Sequence, residues 1–357
     1  MARILYANVH DRHYPRNHRV RTFLSDQGHE VVTDDRDGAY GLVRGSARII
    51  YSGVRRRGPF DVVILSELGL KFAPAAWIVA KRHRARLVSD AFIGLYESNV
   101  EDRSRTSPGS VRARLYRAFD RWAARTSAVC LTDTVVRRDR IIRDGARRVV
   151  VLPVGAPSWA HFMPRHATSD CVHVLYYGNY IPLHGLPYVV KAIAALQEPQ
   201  RFRFTFVGEG PARPDIERAA RRAGVFDLIS WQDYVPPHEL ARLIADSDVV
   251  LGVFGTSPKA ATVLANKVWQ GLSAGRYVVT RESEALDEIL PLIEHTQLRV
   301  VDPYATESLT KVLDELASSV TSNPQSSVFP DSEKALEGYV ESMYDDLNVA
   351  LTEITSQ

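Results

Sequence analysis

Only seven lysines occur in the 357 residues, and two of them fall within one short stretch. It begins Gly252-Val253-Phe254-Gly255-Thr256-Ser257-Pro258-Lys259-Ala260 and continues to Asn266-Lys267-Val268-Trp269-Gln270-Gly271. A strand ending in small residues, followed by a helix, leaves backbone N–H groups unclaimed at the helix start, where an anion is favoured. Gly255, Thr256 and Ser257 offer further N–H and hydroxyl donors, and Lys259 and Lys267 offer charge. Asn266, Lys267 and Gln270 fall on about one face of the helix. Together these donors suit a diphosphate.

Two further turns could hold phosphate. Tyr177-Gly178-Asn179-Tyr180-Ile181-Pro182-Leu183-His184-Gly185 links a strand to a helix, placing Gly178, Asn179 and His184 at its rim. Phe206-Val207-Gly208-Glu209-Gly210-Pro211 begins like a dinucleotide fingerprint, but Arg213 takes the third glycine position, so that reading fails. In the first half, Asp90 closes a strand, where a carboxylate can meet a sugar hydroxyl. The loop 8–19 holds His10, His13 and His18 among Arg12, Arg16 and Arg19. His13, Arg16 and Asn17, with Glu97 and Arg103 further on, are candidates for an acceptor or phosphate-binding side. The histidines lack a tight set of partner ligands, so no metal is expected. No Ser/His/Asp or Cys/His constellation appears, and Cys130 and Cys171 read as buried reduced thiols of a cytosolic protein.

The net charge of +3 conceals an asymmetry. Residues 1–168 carry +14 and residues 169–357 carry −11. A basic half points to an anionic partner such as a phosphorylated substrate or a lipid surface, or to attraction between the halves. Nucleic acid is disfavoured, because no aromatic-basic motif accompanies the charge. Val111, Leu115, Phe119 and Trp122 form a stripe at helical spacing, largely clear of Arg112, Arg117, Arg121 and Arg125. A core-facing helix is the first reading; docking on an anionic bilayer is the alternative. The chain opens directly in a strand-like run, so no leader is expected, and the apolar stretch 62–80 is broken by Glu67 and Lys71. The location expected is cytoplasmic, with peripheral contact at the inner membrane face left open. The preference for Arg over Lys hints at a high-GC bacterium.

The elements that must position these residues alternate strand and helix twice over. Strands are expected at 3–9, 30–33, 61–66, 86–89, 128–132 and 148–153, and helices at 17–27, 74–84, 110–125 and 134–144. Several strands are unbroken Val/Ile/Leu runs, as in a parallel sheet buried on both faces. Residues 156–171 lack periodicity and read as a linker. The second half restarts with strands at 172–177, 202–207, 228–231, 249–254, 277–280 and 298–301. Helices there are expected at 186–196, 213–223, 237–246, 264–274, 283–292 and 305–317, followed by a serine-rich loop at 318–330. The result is an α/β chain of two Rossmann-like, doubly wound domains, 1–155 and 172–331, facing a central cleft. A final helix, 332–353, is expected to pack back on the first domain.

The order of motifs in residues 172–302 resembles the donor domain of retaining family-4 glycosyltransferases with the GT-B fold. The resemblance rests on the Gly178–Gly185 turn, Val207-Gly208-Glu209-Gly210-Pro211, Tyr234-Val235-Pro236 and Leu243-Ile244-Ala245-Asp246-Ser247-Asp248. The Phe254–Lys259 loop and Asn266-Lys267-Val268-Trp269-Gln270-Gly271-Leu272-Ser273-Ala274-Gly275 complete it. The first half resembles the acceptor domain more loosely. The resemblance implies transfer of a sugar from a nucleoside diphosphate sugar with retained configuration. It implies no resident cofactor and no required divalent metal. The acceptor is unidentified: a surface polysaccharide, a glycolipid or a secondary metabolite.

By the same resemblance, the strand ends near Gly208–Gly210 and Trp231–Val235, with Tyr234, bracket the base, and Gln270, with Asn266, reaches the ribose. The Gly255–Lys259 loop and Lys267 hold the diphosphate, and Asp90 and Lys259 serve the transfer. The chain departs from the family's Glu-x7-Glu pair, having Gln270 at the second position and Thr262 eight residues earlier. Asn179 and His184 stand where the family has Arg and Lys. Two rival readings remain: a nucleotide-sugar epimerase, and a silent partner subunit that binds nucleotide sugar.

Overall fold

The computed structural model describes residues 1–36, 38, 40–103, 105–164, 171–322 and 328–356. The chain divides into two compact units, one formed by 1–154 with 340–357 and the other by 155–339. The parts of the expected linker at 165–170 and of the serine-rich loop at 323–327 lie outside the described residues.

The first unit runs β1 (Arg3–Val9), α1 (Pro15–Asp26), β2 (Glu30–Asp35), α2 (Leu42–Arg55), β3 (Val62–Leu65) and α3 (Ala73–His83). It continues with β4 (Arg86–Asp90), α4 (Val111–Thr126), β5 (Val129–Thr132), α5 (Val135–Arg143) and β6 (Val149–Val151). The six strands are all parallel, in the order β2-β1-β3-β4-β5-β6. β3 is buried at every position, which is why it shows no polar alternation.

Helix α2 has no counterpart among the expected elements. Its buried face is Gly45, Ile49 and Gly53, so apolar periodicity is nearly silent there. The glycines are needed for packing: a Cβ on Gly45 would lie 2.4 Å from Phe72, and one on Gly53 2.6 Å from Val79. In α4 the expected core-facing stripe holds only in part: Phe119 and Trp122 are half-buried, with Trp122 packed on the core, but the N-terminal members turn outward. Val111 is 81% exposed and Leu115 is exposed, while Ala113, Ala123 and Ala124 face the core.

The second unit runs β7 (Val172–Tyr177), α6 (Leu186–Ala194), β8 (Phe202–Val207), α7 (Arg213–Arg222), β9 (Ile229–Gln232) and α8 (Pro237–Ala245). Then come β10 (Val249–Leu251), α9 (Asn266–Ser273), β11 (Tyr277–Arg281), β12 (Leu298–Val301) and α10 (Thr306–Ser322). Its sheet is again all parallel, in the order β12-β11-β10-β7-β8-β9. The helix expected at 283–292 is two 3₁₀ turns, Glu284–Glu288 and Leu290–Leu292. Pro291 lacks the N–H that a continuous helix would use. Helix α10 runs to Ser322, past the expected start of the loop.

The last helix, α11 (Ser332–Thr355), carries residues of both units. Within the first, Tyr344 meets Phe23 edge-on, Asn348 Nδ2 donates to Gln27, and Arg86 donates to the Ile354 carbonyl. Cys130 is buried as expected, whereas Cys171 is half-buried.

Candidate functional site

In an open parallel sheet, ligands bind beyond the carboxyl ends of the strands, where the strand order reverses. In the second unit that reversal falls at β7, between β10 and β8. Three loops leave the sheet there and press together. Gly208 (φ +117°) and Gly210 (φ +155°) lie so close to the turn after β7 that a Cβ would fall 2.2 Å from the Gly178 carbonyl oxygen and 2.0 Å from that of Asn179. Gly185 (φ +62°) sits against Phe254, whose N–H donates to the His184 carbonyl at 3.2 Å.

The Gly255 N–H donates to the Leu183 carbonyl at 3.0 Å, so it is spent within the scaffold. The expectation that Gly255 presents its N–H to a ligand is therefore corrected. Ser257 Oγ likewise accepts from the Ala260 N–H, and Thr262 Oγ1 donates to the Lys259 carbonyl. Thr256 is exposed, and Lys259 and Asn266 are half-buried.

Lys267, the second residue of α9, is only 6% exposed. Among the described residues no carboxylate pairs with it and no acceptor takes its hydrogens; its Nζ lies 5.1 Å from the Tyr176 ring centroid. A Cβ placed on Gly178 would be 3.3 Å from that Nζ and 2.8 Å from His184 Cε1. Burial pushes the Lys267 ammonium down to about 7. Burial, and then Lys267, hold the His184 imidazole well below its ordinary range, so it stays neutral. Tyr176 Oη and His184 Nδ1 share a 2.7 Å hydrogen bond.

The cap residue of α9, Ala265, contributes no side-chain acceptor. A buried cation without a counter-ion, at an uncapped helix start, is an arrangement that an anion completes. Gln270 is buried beside it. Its Oε1 accepts from Tyr177 Oη at 2.8 Å, while no described residue accepts from its amide nitrogen.

The structure thus gathers Gly178, Asn179, His184, Gly208, Gly210, Gly255, Lys267 and Gln270 around one set of loops. Tyr234 stands apart at 71% exposed, and Val235 is half-buried. Trp231, expected near the base, instead stacks on Phe226 and meets Phe206 edge-on. Sequence reasoning missed Arg281. This buried residue ends β11, and its Nη1 donates to the Gly255 carbonyl at 2.6 Å, fixing the loop before Thr256.

In the first unit several expectations are corrected. Asp90 is fully buried and its carboxylate is gripped by Arg16, at 2.7 Å from Nε and 2.9 Å from Nη2, with the Phe92 N–H adding a third bond. Arg16, also fully buried, donates in addition to the carbonyls of Leu152 and Thr132. The pair ties α1 to β4 and β5 and offers nothing to a sugar. Asn17 is enclosed too, accepting from Tyr6 and donating to Glu67 and to the Asp11 carbonyl. Glu97 is buried on Arg137. Of the expected acceptor-side residues, only His13 and Arg103 are exposed.

The first unit's own reversal point, β1 between β2 and β3, holds a group that was not singled out. Glu67 is fully buried, and its Oε1 lies 2.7 Å from His10 Nδ1 and 2.9 Å from Asn17 Nδ2. Its Oε2, the Nδ2 of Asn8 and the Nδ1 of His10 have no hydrogen-bond partner, so His10 meets Glu67 by close approach rather than by an aligned hydrogen bond. Asn8 (φ +64°) and Leu68 (φ +61°) both hold left-handed backbone, a strain that concentrates at functional positions. The signal in the sequence was a Glu two residues past an unbroken apolar strand. Among the described residues no group of three His, Cys, Asp or Glu could hold a metal ion.

Two Rossmann-like units of parallel sheet, the second with an anion-ready reversal point, define a protein of the GT-B fold. Residues 171–319, all within the second unit, match the family Glycosyl transferases group 1. Two curated relatives come from Streptomyces kanamyceticus. One, an alpha-D-kanosaminyltransferase, is 23% identical over 158 residues, 44% of this chain and 39% of the relative. The other, a 2-deoxystreptamine glucosyltransferase, is 35% identical over 68 residues, 19% of this chain and 18% of the relative. The chain therefore matches well under half the length of either.

Among solved structures, Anabaena HepE in complex with UDP and glucose superposes with a TM-score of 0.71 at 13% identity, over 99% of this chain and 100% of that one. Sucrose-phosphate synthase from Thermosynechococcus elongatus gives 0.73 at 12% identity, over 99% and 97%. At such identities the likeness is one of fold. Among the described residues, no helix is long and apolar enough to cross a membrane.

Proposed function

We propose that the chain transfers a hexose-like sugar from a nucleoside diphosphate to an acceptor hydroxyl or amine, with retention of anomeric configuration. The observation that carries this is Lys267, buried without a counter-ion at the start of α9 beside neutral His184. The donor diphosphate supplies the missing charge, the Gln270 amide nitrogen donates to a ribose hydroxyl, and Lys259 approaches the diphosphate from its loop. In the transfer, the acceptor heteroatom attacks the anomeric carbon on the face the phosphate leaves. The bond from that carbon to the phosphate oxygen breaks, and the departing oxygen takes the acceptor proton. Lys267 and the α9 start stabilise the charge that develops on that oxygen. In the first unit, His10, whose Nδ1 lies 2.7 Å from Glu67, offers its other nitrogen to the acceptor. One relative's name, 2-deoxystreptamine glucosyltransferase, supports an aminated, hydroxylated small-molecule acceptor, with surface polysaccharide and glycolipid as the competing classes.

Calorimetry with uridine, guanosine and thymidine diphosphates tests the donor site. Binding of at least one is expected in a chelator-treated sample, because no divalent metal is part of the proposal. Failure of all three, or binding only after a metal is restored, would overturn it. Once a donor is found, the anomeric proton coupling of the product reads the stereochemistry; inversion rules out the same-face mechanism.

The first unit also carries the features of peripheral docking on an anionic membrane. Helix α2 packs on α3 and α3 on α4, and together the three carry ten Lys or Arg against one acid. Val43 (83% exposed), Trp77, Ile78, Val111 and Leu115 stand out from them. Basic charge around exposed apolar side chains suits an anionic lipid interface. The protein should cosediment at low salt with phosphatidylglycerol vesicles and not with phosphatidylcholine vesicles. A Val111→Asp/Leu115→Asp variant should lose that binding. Equal behaviour toward the two lipids ends the membrane reading.

A further inference from the structure

Within the first unit lies a cavity of about 330 Å³ that no step of the proposed transfer uses. It is enclosed by α4, α5, the ends of β4 and β5 and the segment 94–97. Its walls are unusually rich in guanidinium groups, and the ion pairs sort them. Arg137 is matched by Glu97 and Asp133, Arg140 by Glu101 and Arg121 by Asp144. Arg117 and Arg143 remain: among the described residues neither pairs with a carboxylate, and both are exposed at the cavity's edge. The Arg117 Cζ lies over Tyr96, 4.0 Å from the ring centroid, a cation–π contact that steadies the side chain.

The same lining also carries acidic groups. Glu97 is 3% exposed, and its Oε1 has no hydrogen-bond partner, although Oε2 is held by Arg137. Asp120 lies beside it, accepting from the N–H groups of Leu95 and Tyr96 at 2.9 Å each. A buried acceptor left unmatched is costly, and such a cost is tolerated where a ligand relieves it. The cavity is therefore bipolar, with two cations lacking a carboxylate partner among the described residues at its edge and one unmatched carboxylate oxygen, Glu97 Oε1, inside. Its volume falls within the range of small-molecule sites, at the low end.

We infer that this cavity binds a small hydroxylated anion, a sugar or polyol phosphate, with its phosphate on Arg117 and Arg143 and its hydroxyls on Glu97 and Asp120. Neither half of such a ligand suffices. Inorganic phosphate leaves Glu97 unmatched, and a neutral sugar leaves the guanidinium groups unmatched. The inference does not depend on the donor site.

The test is calorimetry with glucose 6-phosphate, fructose 6-phosphate and glycerol 3-phosphate, set against glucose and inorganic phosphate. At least one phosphorylated probe should bind with a dissociation constant of about 1 mM or tighter, and at least tenfold more tightly than glucose or phosphate. Arg117→Gln and Arg143→Gln, both at exposed positions that the fold tolerates, should each weaken it about tenfold or more. Nucleoside diphosphate binding should be unchanged in both variants, which separates this cavity from the site at Lys267. If none of the phosphorylated probes binds at about 10 mM, or if binding survives both substitutions, the inference is wrong.

Discussion

Replacing Lys267 by methionine is expected to make the protein more stable and unable to hold a nucleoside diphosphate tightly. The two effects share one cause. The ammonium is enclosed without a counter-ion, and burial brings it to about 7 from an ordinary value of 10.5. Below pH 7 both the folded and unfolded chains carry the proton, and the full cost of burying it is present. Between pH 7 and about 10.5 the unfolded chain holds more protons than the folded one, so stability rises with pH through that window. Methionine of similar length removes both the cost and the slope. The gain at neutral pH should be on the order of 4 kcal/mol at most, and it should fade as the pH approaches 10. Diphosphate binding, in contrast, should weaken by roughly 10- to 100-fold, the loss of one charge-assisted contact.

Thermal melts across the pH range, with and without the nucleotide that binds wild type, read both effects. In wild type near pH 8, binding should also take up a fraction of a proton, visible as a buffer-dependent enthalpy. A variant that melts lower than wild type at pH 7, or binds the nucleotide equally well, removes the basis for the donor site.

Loss of the His10 imidazole should have the second largest effect, and on a different quantity. His10→Ala is expected to lower kcat/KM for the acceptor by about 100-fold, the cost of a misplaced reacting group, with the nucleotide dissociation constant unchanged. Glu67→Gln should retain the Asn17 contact and lose the charge behind His10, giving a smaller loss of the same kind. Because Glu67 is wholly buried and already raised by that burial, the amide is also expected to be tolerated by the fold. Steady-state kinetics with varied acceptor at saturating donor distinguish this from a structural defect. If His10→Ala changes donor affinity and leaves acceptor kinetics alone, the assignment fails.

Most of the architecture could be read directly from residue order, because parallel strands buried on both faces announce themselves as unbroken runs such as Val62–Leu65. Where the signal was weak, the structure explains why. Helix α2 buries two glycines, and a face built from missing side chains has no hydrophobic period. The α4 stripe faces the core only toward its C-terminal end, at Trp122, while the fully buried contacts of the helix are made by Ala113, Ala123 and Ala124.

The loops of the proposed donor site were legible through their glycines and scarce lysines. The proposed acceptor side was not, because Asp90 and Arg16 satisfy each other and Asn17 is satisfied by Tyr6, Asp11 and Glu67. Mutual satisfaction is a three-dimensional property. His10 and Glu67 are separated by 57 positions and meet only because β1 and β3 are neighbours.

The stacking of Gly208 and Gly210 on the carbonyls of residues 178 and 179 has a consequence for engineering. Even a methyl group at either glycine collides with main chain, so the path of the turn after β7 is set by its neighbours. Libraries aimed at new donor preference should therefore leave the loop's length and glycines intact. Diversity belongs at Asn179, whose exposed side chain can change without reshaping the mould beneath it.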